Sequence, residues 1–542
     1  MPLLRLALFL LTALPFAWLA AALLRRLRRG QAAAAVGLSL VLFAFLFAFH
    51  HENRYEFLDP ACYRAMSAAF AAGSDLRPVR ESLESVPAPL RRDMLMRPDL
   101  PSLDGVFRYE APRRAASAEP GDTEAFRTRP CFLPALPLAA SALGPLHDAF
   151  VPLVGALWSL SLLAFALSHE ASAVPPVRRI ATAAVLLLAT FMPSWFFRGF
   201  HTDAVGSALV SLALLAVISR PFRGRLALAG FCLAFSAAFH FTMALYALPV
   251  AVFAIVRDGT WKRTLSLALG ALLGCALVAA ELQTAGSPYS SGGIAGFIAA
   301  AKASPAIFAL LCVVALLGTL ALVLLALAHA PSVRAWFCRP KVSRAGSVLL
   351  ASATALAVLL PFAGKFLGVP QLAAGATSAH PAMVLPLLPL AALALCPFYA
   401  DFRVFRSERL LLLFIALAGA FGLYLKGSEQ AIGVSGAWGF RRILPTALLL
   451  VPVFLHGALM SRASRFLRVT VSTLALVPMF LSPQLWTGVQ DAGADRIADR
   501  MAAVLSKNNL VLFDYRPRAG MFAVRSPNQR MFSLPKRNPS GL

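Results

Sequence analysis

Apolar runs close to 20 residues long recur along almost the whole chain, and this leaves few folds open. A helix needs roughly 20 apolar residues to cross the hydrocarbon core of a bilayer. About fourteen runs meet that description, allowing for short ones: 3–24, 31–50, 148–168, 180–197, 203–219, 226–239, 242–256, 265–281, 306–329, 345–362, 381–398, 410–425, 443–460 and 469–486. The pair 226–239 and 242–256 is the weakest, because each run is short and His240 lies between them. One long tilted helix is the alternative there. The chain is 59% hydrophobic, which removes it from the soluble globular class. The expected fold is an all-α polytopic transmembrane bundle of about 13–14 helices, with a large outer loop and a small α/β-like C-terminal tail.

The net charge of +25 does not point to nucleic acid. The basic residues fall in alternate short loops: Arg25, Arg26, Arg28 and Arg29, then Arg178 and Arg179, then Arg220, Arg223 and Arg225. The series continues through Arg257–Arg263, Arg334–Arg344 and Arg403–Arg409, and ends with Arg462, Arg465 and Arg468. Cytoplasmic loops carry such an excess, so these loops are expected inside. Residues 51–130 and the tail after 487 are then expected on the other side. The first run resembles a signal peptide, but RRLRR directly after it fits a retained helix with its N-terminus outside. The expected organisation is two helices in 1–50, a large non-cytoplasmic loop in 51–147, a helical bundle in 148–487 and a small non-cytoplasmic segment in 488–542.

Polar chemistry concentrates where the large loop leaves the second helix. Glu52, Glu56 and Asp59 follow that helix within a few turns. Ionisable groups beside lipid are costly, so they mark function by default. Asp59 precedes Pro60, the pattern of an N-cap followed by proline at the first helical position. The helix that follows would present Tyr63, Met66, Ala69 and Phe70 on its apolar face. Asp59 is either a plain cap or a general base held at the lipid–water boundary. Arg198, His201 and Asp203 share a short outer turn. Asp203 either caps the next helix or acts chemically. A divalent metal at His201 and Asp203 is left open, since two ligands from one turn do not define a site. Arg441 and Arg442 lie outside against the charge trend. They suit either bidentate phosphate binding or snorkelling to headgroups. Cys62 and Cys131 bracket the loop and would suit a disulfide, or stay unpaired. Cys232 and Cys275 lie in apolar runs and read as small core residues.

No P-loop, Gly-rich dinucleotide motif or zinc motif occurs, so any activated donor must arrive attached to something else, such as a lipid. In the tail, DAGADRIADRMAAVLSK has helical spacing, and NLVLFDY and MFAVRS read as short strands. Some 55 residues bury little core alone, so the tail is expected to pack on the outer loop.

Taken in order, these segments resemble the GT-C superfamily of polytopic glycosyltransferases, which use polyprenyl-phosphate-linked sugars. Asp59-Pro-Ala-Cys-Tyr63, followed by Ala68 and Gly73, is similar to the family's early acidic loop motif. PCFLPALPLAASALGPL resembles its proline-rich return to the membrane, and HTDAVGSALVSLAL its second outer loop with an acid. SGAWGFRRILPTALLLVP resembles its late arginine segment, with Arg442 where the family has tyrosine. The resemblance covers roughly residues 31–460. It implies transfer of a sugar to a glycan, lipid or protein acceptor at the non-cytoplasmic face, and the high Ala content with Arg preferred over Lys points to a GC-rich bacterial genome and so to a bacterial inner membrane. Asp59 would be the base with Glu56 in reserve, and Asp203 a second acid. Arg442 or Arg441 would contact phosphate, with His201 and Arg198 beside the substrate. Two other classes remain open: a transporter or flippase of a lipid-linked substrate, and a non-catalytic membrane assembly protein. A transporter should carry ionisable groups in mid-helix, and these helices are almost free of acids there.

Overall fold

A computed structural model describes residues 2–51, 135–168, 176–240, 243–258 and 260–284. It also describes four short strands and helical positions within 63–71, 449–476 and 496–503. Helix α1 spans Pro2–Leu24 and α2 Arg29–Ala48. After strands β1 (Arg77–Arg80) and β2 (Phe107–Glu110) comes the short α3 (Ala135–Ser141). A 3-10 segment at Gly144–Ala149 then leads into α4 (Phe150–Ser168). Helices α5 (Pro176–Phe197), α6 (Thr202–Ile218) and α7 (Arg225–Phe235) follow. Next are α8 (Met243–Asp258) and α9 (Trp261–Thr284), and the tail contributes β3 (Leu510–Phe513) and β4 (Arg530–Ser533). Among the described residues, four helical segments are long and apolar enough to cross a membrane: Pro2–Leu24, Arg29–Ala48, Gly144–Ser168 and Trp261–Val278.

The doubtful stretch is two helices, not one. Helix α7 ends at Phe235, a 3-10 turn covers Ser236–Ala238, and α8 restarts at Met243. The hydroxyl of Ser236 donates to the Leu233 carbonyl (2.7 Å), and the backbone N–H groups of Phe239 and His240 both turn back to the Ser236 carbonyl. The last turn therefore tightens instead of propagating.

Helix α6 is the axis of the described bundle, because all its residues from Thr202 to Ile218 are buried. A helix apolar all round must be covered all round. One buried polar chain crosses this core. Trp158 donates its indole N–H to Ser211 (3.1 Å), and the Ser211 hydroxyl donates to the Leu449 carbonyl (3.0 Å). Small residues set the closest approach. A Cβ on Gly230 of α7 would lie 2.0 Å from the Leu267 carbonyl oxygen, and one on Gly270 of α9 2.0 Å from that of Ala227. Gly270 and Gly274 form a G-x-x-x-G pair, which lets two helix backbones touch where lipid supplies no hydrophobic drive. Cys232 is buried as expected, whereas Cys275 is exposed. It shares α9 with the exposed Leu265, Leu269, Leu272 and Leu273, so that stretch faces outward.

Loops of like charge gather at one end. Arg26 donates to the Pro221 carbonyl (2.9 Å), which joins the α1–α2 and α6–α7 turns. Arg225 donates to the carbonyls of Val217 and Ser219 (3.2 and 2.8 Å), placing a cation at the C-terminal end of α6. Arg178 donates twice to the Leu459 carbonyl (3.0 and 2.7 Å) at the start of α5. The other ends of α2 and α5 lie away from this basic end.

The four strands form one sheet in the order β1-β2-β4-β3, with β1–β2 and β2–β4 antiparallel and β3–β4 parallel. Phe107 opposes Ser533 and Arg108 opposes Phe532. The tail thus meets the large loop, strand against strand. Strand β3 lies within NLVLFDY and pairs with Arg530–Ser533, while MFAVRS lies outside the described residues. The loop itself contributes half of the strands, which the apolar pattern did not suggest.

Candidate functional site

The end opposite the basic loops is built from helix junctions. Helix α2 runs out at Phe49, and His50 and His51 follow. Between α5 and α6 lies the turn Arg198–His201, and α6 opens with Asp203 in its first turn. Its N-cap is His201, whose side chain makes no capping bond. Asp203 therefore is not the cap; it sits where the helix dipole favours an anion. The 3-10 segment before α4 supplies His147 and Asp148, and the α7–α8 turn supplies His240. Of the 9 histidines in the chain, His50, His51, His147, His201 and His240 all lie at these junctions.

Two junctions are locked together through His51. Its backbone N–H donates to the Arg198 carbonyl, and its ring Nε2 lies 3.1 Å from the Trp195 carbonyl. A carbonyl only accepts, so Nε2 carries the hydrogen. The ring also packs on Trp195 at 4.1 Å. Burial, with the Arg198 guanidinium and His201 nearby, pushes the His51 pKa down to about 2, against the pull of the Trp195 carbonyl. The imidazole is therefore neutral. Arg198 is 1% exposed, donates to the Phe49 carbonyl (3.3 Å) and lies 5.1 Å over the Trp195 ring. Burial lowers its pKa to about 10, which still leaves it charged near neutrality.

The large loop is fastened at the same end. Arg64 grips Asp148 through two parallel bonds, Nε to Oδ1 at 2.9 Å and Nη2 to Oδ2 at 2.8 Å. Both side chains are largely buried, at 5% and 19% exposure. Tyr63 and Phe70 beside it are buried as the apolar-face reading requires. His147 directs Nε2 toward Asp148 Oδ1 at 3.6 Å and Nδ1 toward the Gly144 carbonyl at 3.2 Å. The Gly144 carbonyl only accepts, so Nδ1 carries the hydrogen, and Nε2 stands just beyond direct hydrogen-bond reach of the carboxylate. The His147 ring also lies 6.1 Å from that of Phe200, which links this pair to the α5–α6 turn.

On the far side of that turn, Asp203 Oδ1 lies 3.9 Å from His240 Nε2. The two side chains are 10% and 13% exposed. This is an acid facing an imidazole across a gap slightly too wide for a direct hydrogen bond. Among the described residues, no group of three or more His, Cys, Asp or Glu side chains is arranged to hold a metal ion.

Arg198, His201 and Asp203 thus share one buried turn. Asp59, Glu56, Arg441 and Arg442, together with Cys62 and Cys131, lie outside the described residues. The sequence reading missed Arg64, His147 and Asp148 as a unit, and His240 as a partner of Asp203. His147, Asp148 and His240 stand at the ends of apolar runs, and Arg64 lies in the short helix expected after Asp59. Comparison of the chain with models of protein families, with characterised proteins and with solved structures returns no match.

Proposed function

We propose that this chain is an integral membrane glycosyltransferase. It moves a sugar from a polyprenyl-phosphate-linked donor to an acceptor at the non-cytoplasmic face of a bacterial inner membrane. The observation that carries the reading is the Asp203–His240 pair, brought together from two separate helix junctions at the end away from the basic loops. Sugar transfer needs a group to take the proton of an acceptor hydroxyl and cations to stabilise the departing phosphate. Asp59 is assigned the base role, with Glu56 in reserve. Asp203, with His240 across a 3.9 Å gap, orients the acceptor and shuttles a proton through a bridging hydroxyl. Arg441 and Arg442 are assigned to the donor phosphate. Arg198 is engaged by Phe49 and Trp195, so its role here is to hold the turn that carries His201 and Asp203.

The test is transfer from a panel of polyprenyl-phosphate sugars by the purified protein in vesicles. Asp203→Asn and His240→Gln should each slow transfer by about tenfold or more while the protein keeps its melting temperature. Full activity in both variants would remove this pair from the mechanism.

A further inference from the structure

A second site lies at the basic end, far from the junctions just described. A cavity of about 400 Å³ opens between the start of α5 and the described helical positions within 465–476. Arg178, Arg465 and Arg468 stand at its rim, and Ala181, Val185 and Leu476 are among the apolar residues that line it. No Asp or Glu lines it among the described residues. Arg178 and Arg468 are near enough for their like charges to oppose each other. The Arg178 guanidinium is fixed by the Leu459 carbonyl, so it cannot swing away. Beside the rim, Phe466 and Val469 are 82% and 57% exposed, an apolar surface next to three cations.

Such a shape asks for an amphiphile. Concentrated positive charge without acids needs an anion to relieve it, and a phosphate diester accepts bidentate guanidinium bonds. The apolar wall needs a hydrocarbon chain. Basic pockets between helices at a membrane's cytoplasmic face bind anionic headgroups. We infer that the groove between α5 and residues 465–476 binds one anionic phospholipid. Its phosphate lies among Arg178, Arg465 and Arg468, and an acyl chain runs along Ala181, Val185 and Leu476. The site requires a membrane around the bundle but does not rest on the transferase reading, so either can fail alone.

The experiment uses the full chain in phosphatidylcholine vesicles doped with a photoactivatable phosphatidylglycerol or, separately, a photoactivatable phosphatidylcholine. Crosslinked peptides are mapped by mass spectrometry. The phosphatidylglycerol probe should label peptides spanning 178–185 and 465–476 about tenfold more than the phosphatidylcholine probe. R465Q with R468Q should remove that excess, and R465K with R468K should keep most of it. Ser472→Trp, which narrows the groove without touching the charges, should block labelling on its own. Excess glycerol phosphate should not displace the probe. Equal labelling by the two probes, labelling indifferent to R465Q/R468Q and Ser472→Trp, displacement by glycerol phosphate, or no labelling there would each overturn the inference.

Discussion

Removing one half of the Arg64–Asp148 clasp should release the large loop from the helical bundle. The pair is bidentate, with bonds of 2.9 and 2.8 Å, and its side chains are 5% and 19% exposed. Asp148→Ala would leave the Arg64 guanidinium buried without the Asp148 carboxylate. Breaking a buried pair in this way costs about 3–5 kcal/mol, most of it the uncompensated charge. Replacing both residues by apolar ones of similar volume, Arg64→Met with Asp148→Leu, strands no charge and should cost far less. Arg64→Met, Asp148→Leu and their double variant therefore form a cycle whose coupling should exceed about 2 kcal/mol. Unfolding of membrane proteins is often irreversible, so the assay is limited proteolysis of native protein, reading the cleavage rate within residues 51–130 under conditions where opening precedes cutting. Asp148→Ala should raise that rate by more than a hundredfold, and the double variant should recover most of the protection. Single variants that cut no faster than the parent, or a double variant whose loss is the sum of the singles, would refute the reasoning.

Three further outcomes follow from the geometry. Gly270→Leu should separate α7 from α9 by roughly 1.3 Å, given a normal C···O approach near 3.3 Å. This should cost about 1–3 kcal/mol or more, seen as a lower melting temperature than for Gly37→Leu, where open space surrounds the glycine. The His51 pKa is depressed in the folded protein, so its contribution to stability is complete above the unfolded value near 6.5 and falls as pH drops toward 2, by about 1.4 kcal/mol per pH unit. His51→Gln should flatten the acid side of a pH–inactivation profile, and an unchanged slope would remove His51 as its cause. Phe107→Cys with Ser533→Cys, opposite each other in the sheet, should form a crosslink on oxidation, and labelling from opposite membrane faces would contradict the pairing.

The described helices were legible because their signal is local, while the runs 306–329, 345–362, 381–398 and 410–425 lie outside the described residues. Runs such as 3–24 and 203–219 announce themselves by length and by the arginines that bound them, and α1 and α6 follow them within a residue or two. The break at His240 was legible as a doubt only, since two short runs and one long run look alike until the Ser236 turn is seen. The glycines of α9 were readable in principle from G-x-x-x-G, but the motif alone does not say which helix it meets. The site was readable only in part. Arg198, His201 and Asp203 lie in one turn, so their neighbourhood is a fact of sequence. Arg64 and Asp148 are 84 positions apart, and Asp203 meets His240 across two helices. No local pattern encodes such pairs; they exist because the helices return to the same end. The sheet that joins β2 to β4 is hidden for the same reason.

The most direct test of the account is release of polyprenyl phosphate, which every donor of this class must yield whatever sugar or acceptor is used. Protein in vesicles is given polyprenyl-phosphate-linked sugars with a membrane extract as acceptor, and the free lipid phosphate is quantified. Turnover is expected for the parent chain, with a loss of about a hundredfold or more in Asp59→Asn, since asparagine caps a helix as well as aspartate but cannot act as the base. Asp59→Asn releasing polyprenyl phosphate as fast as the parent, or a correctly folded parent that releases none from any donor, would contradict it.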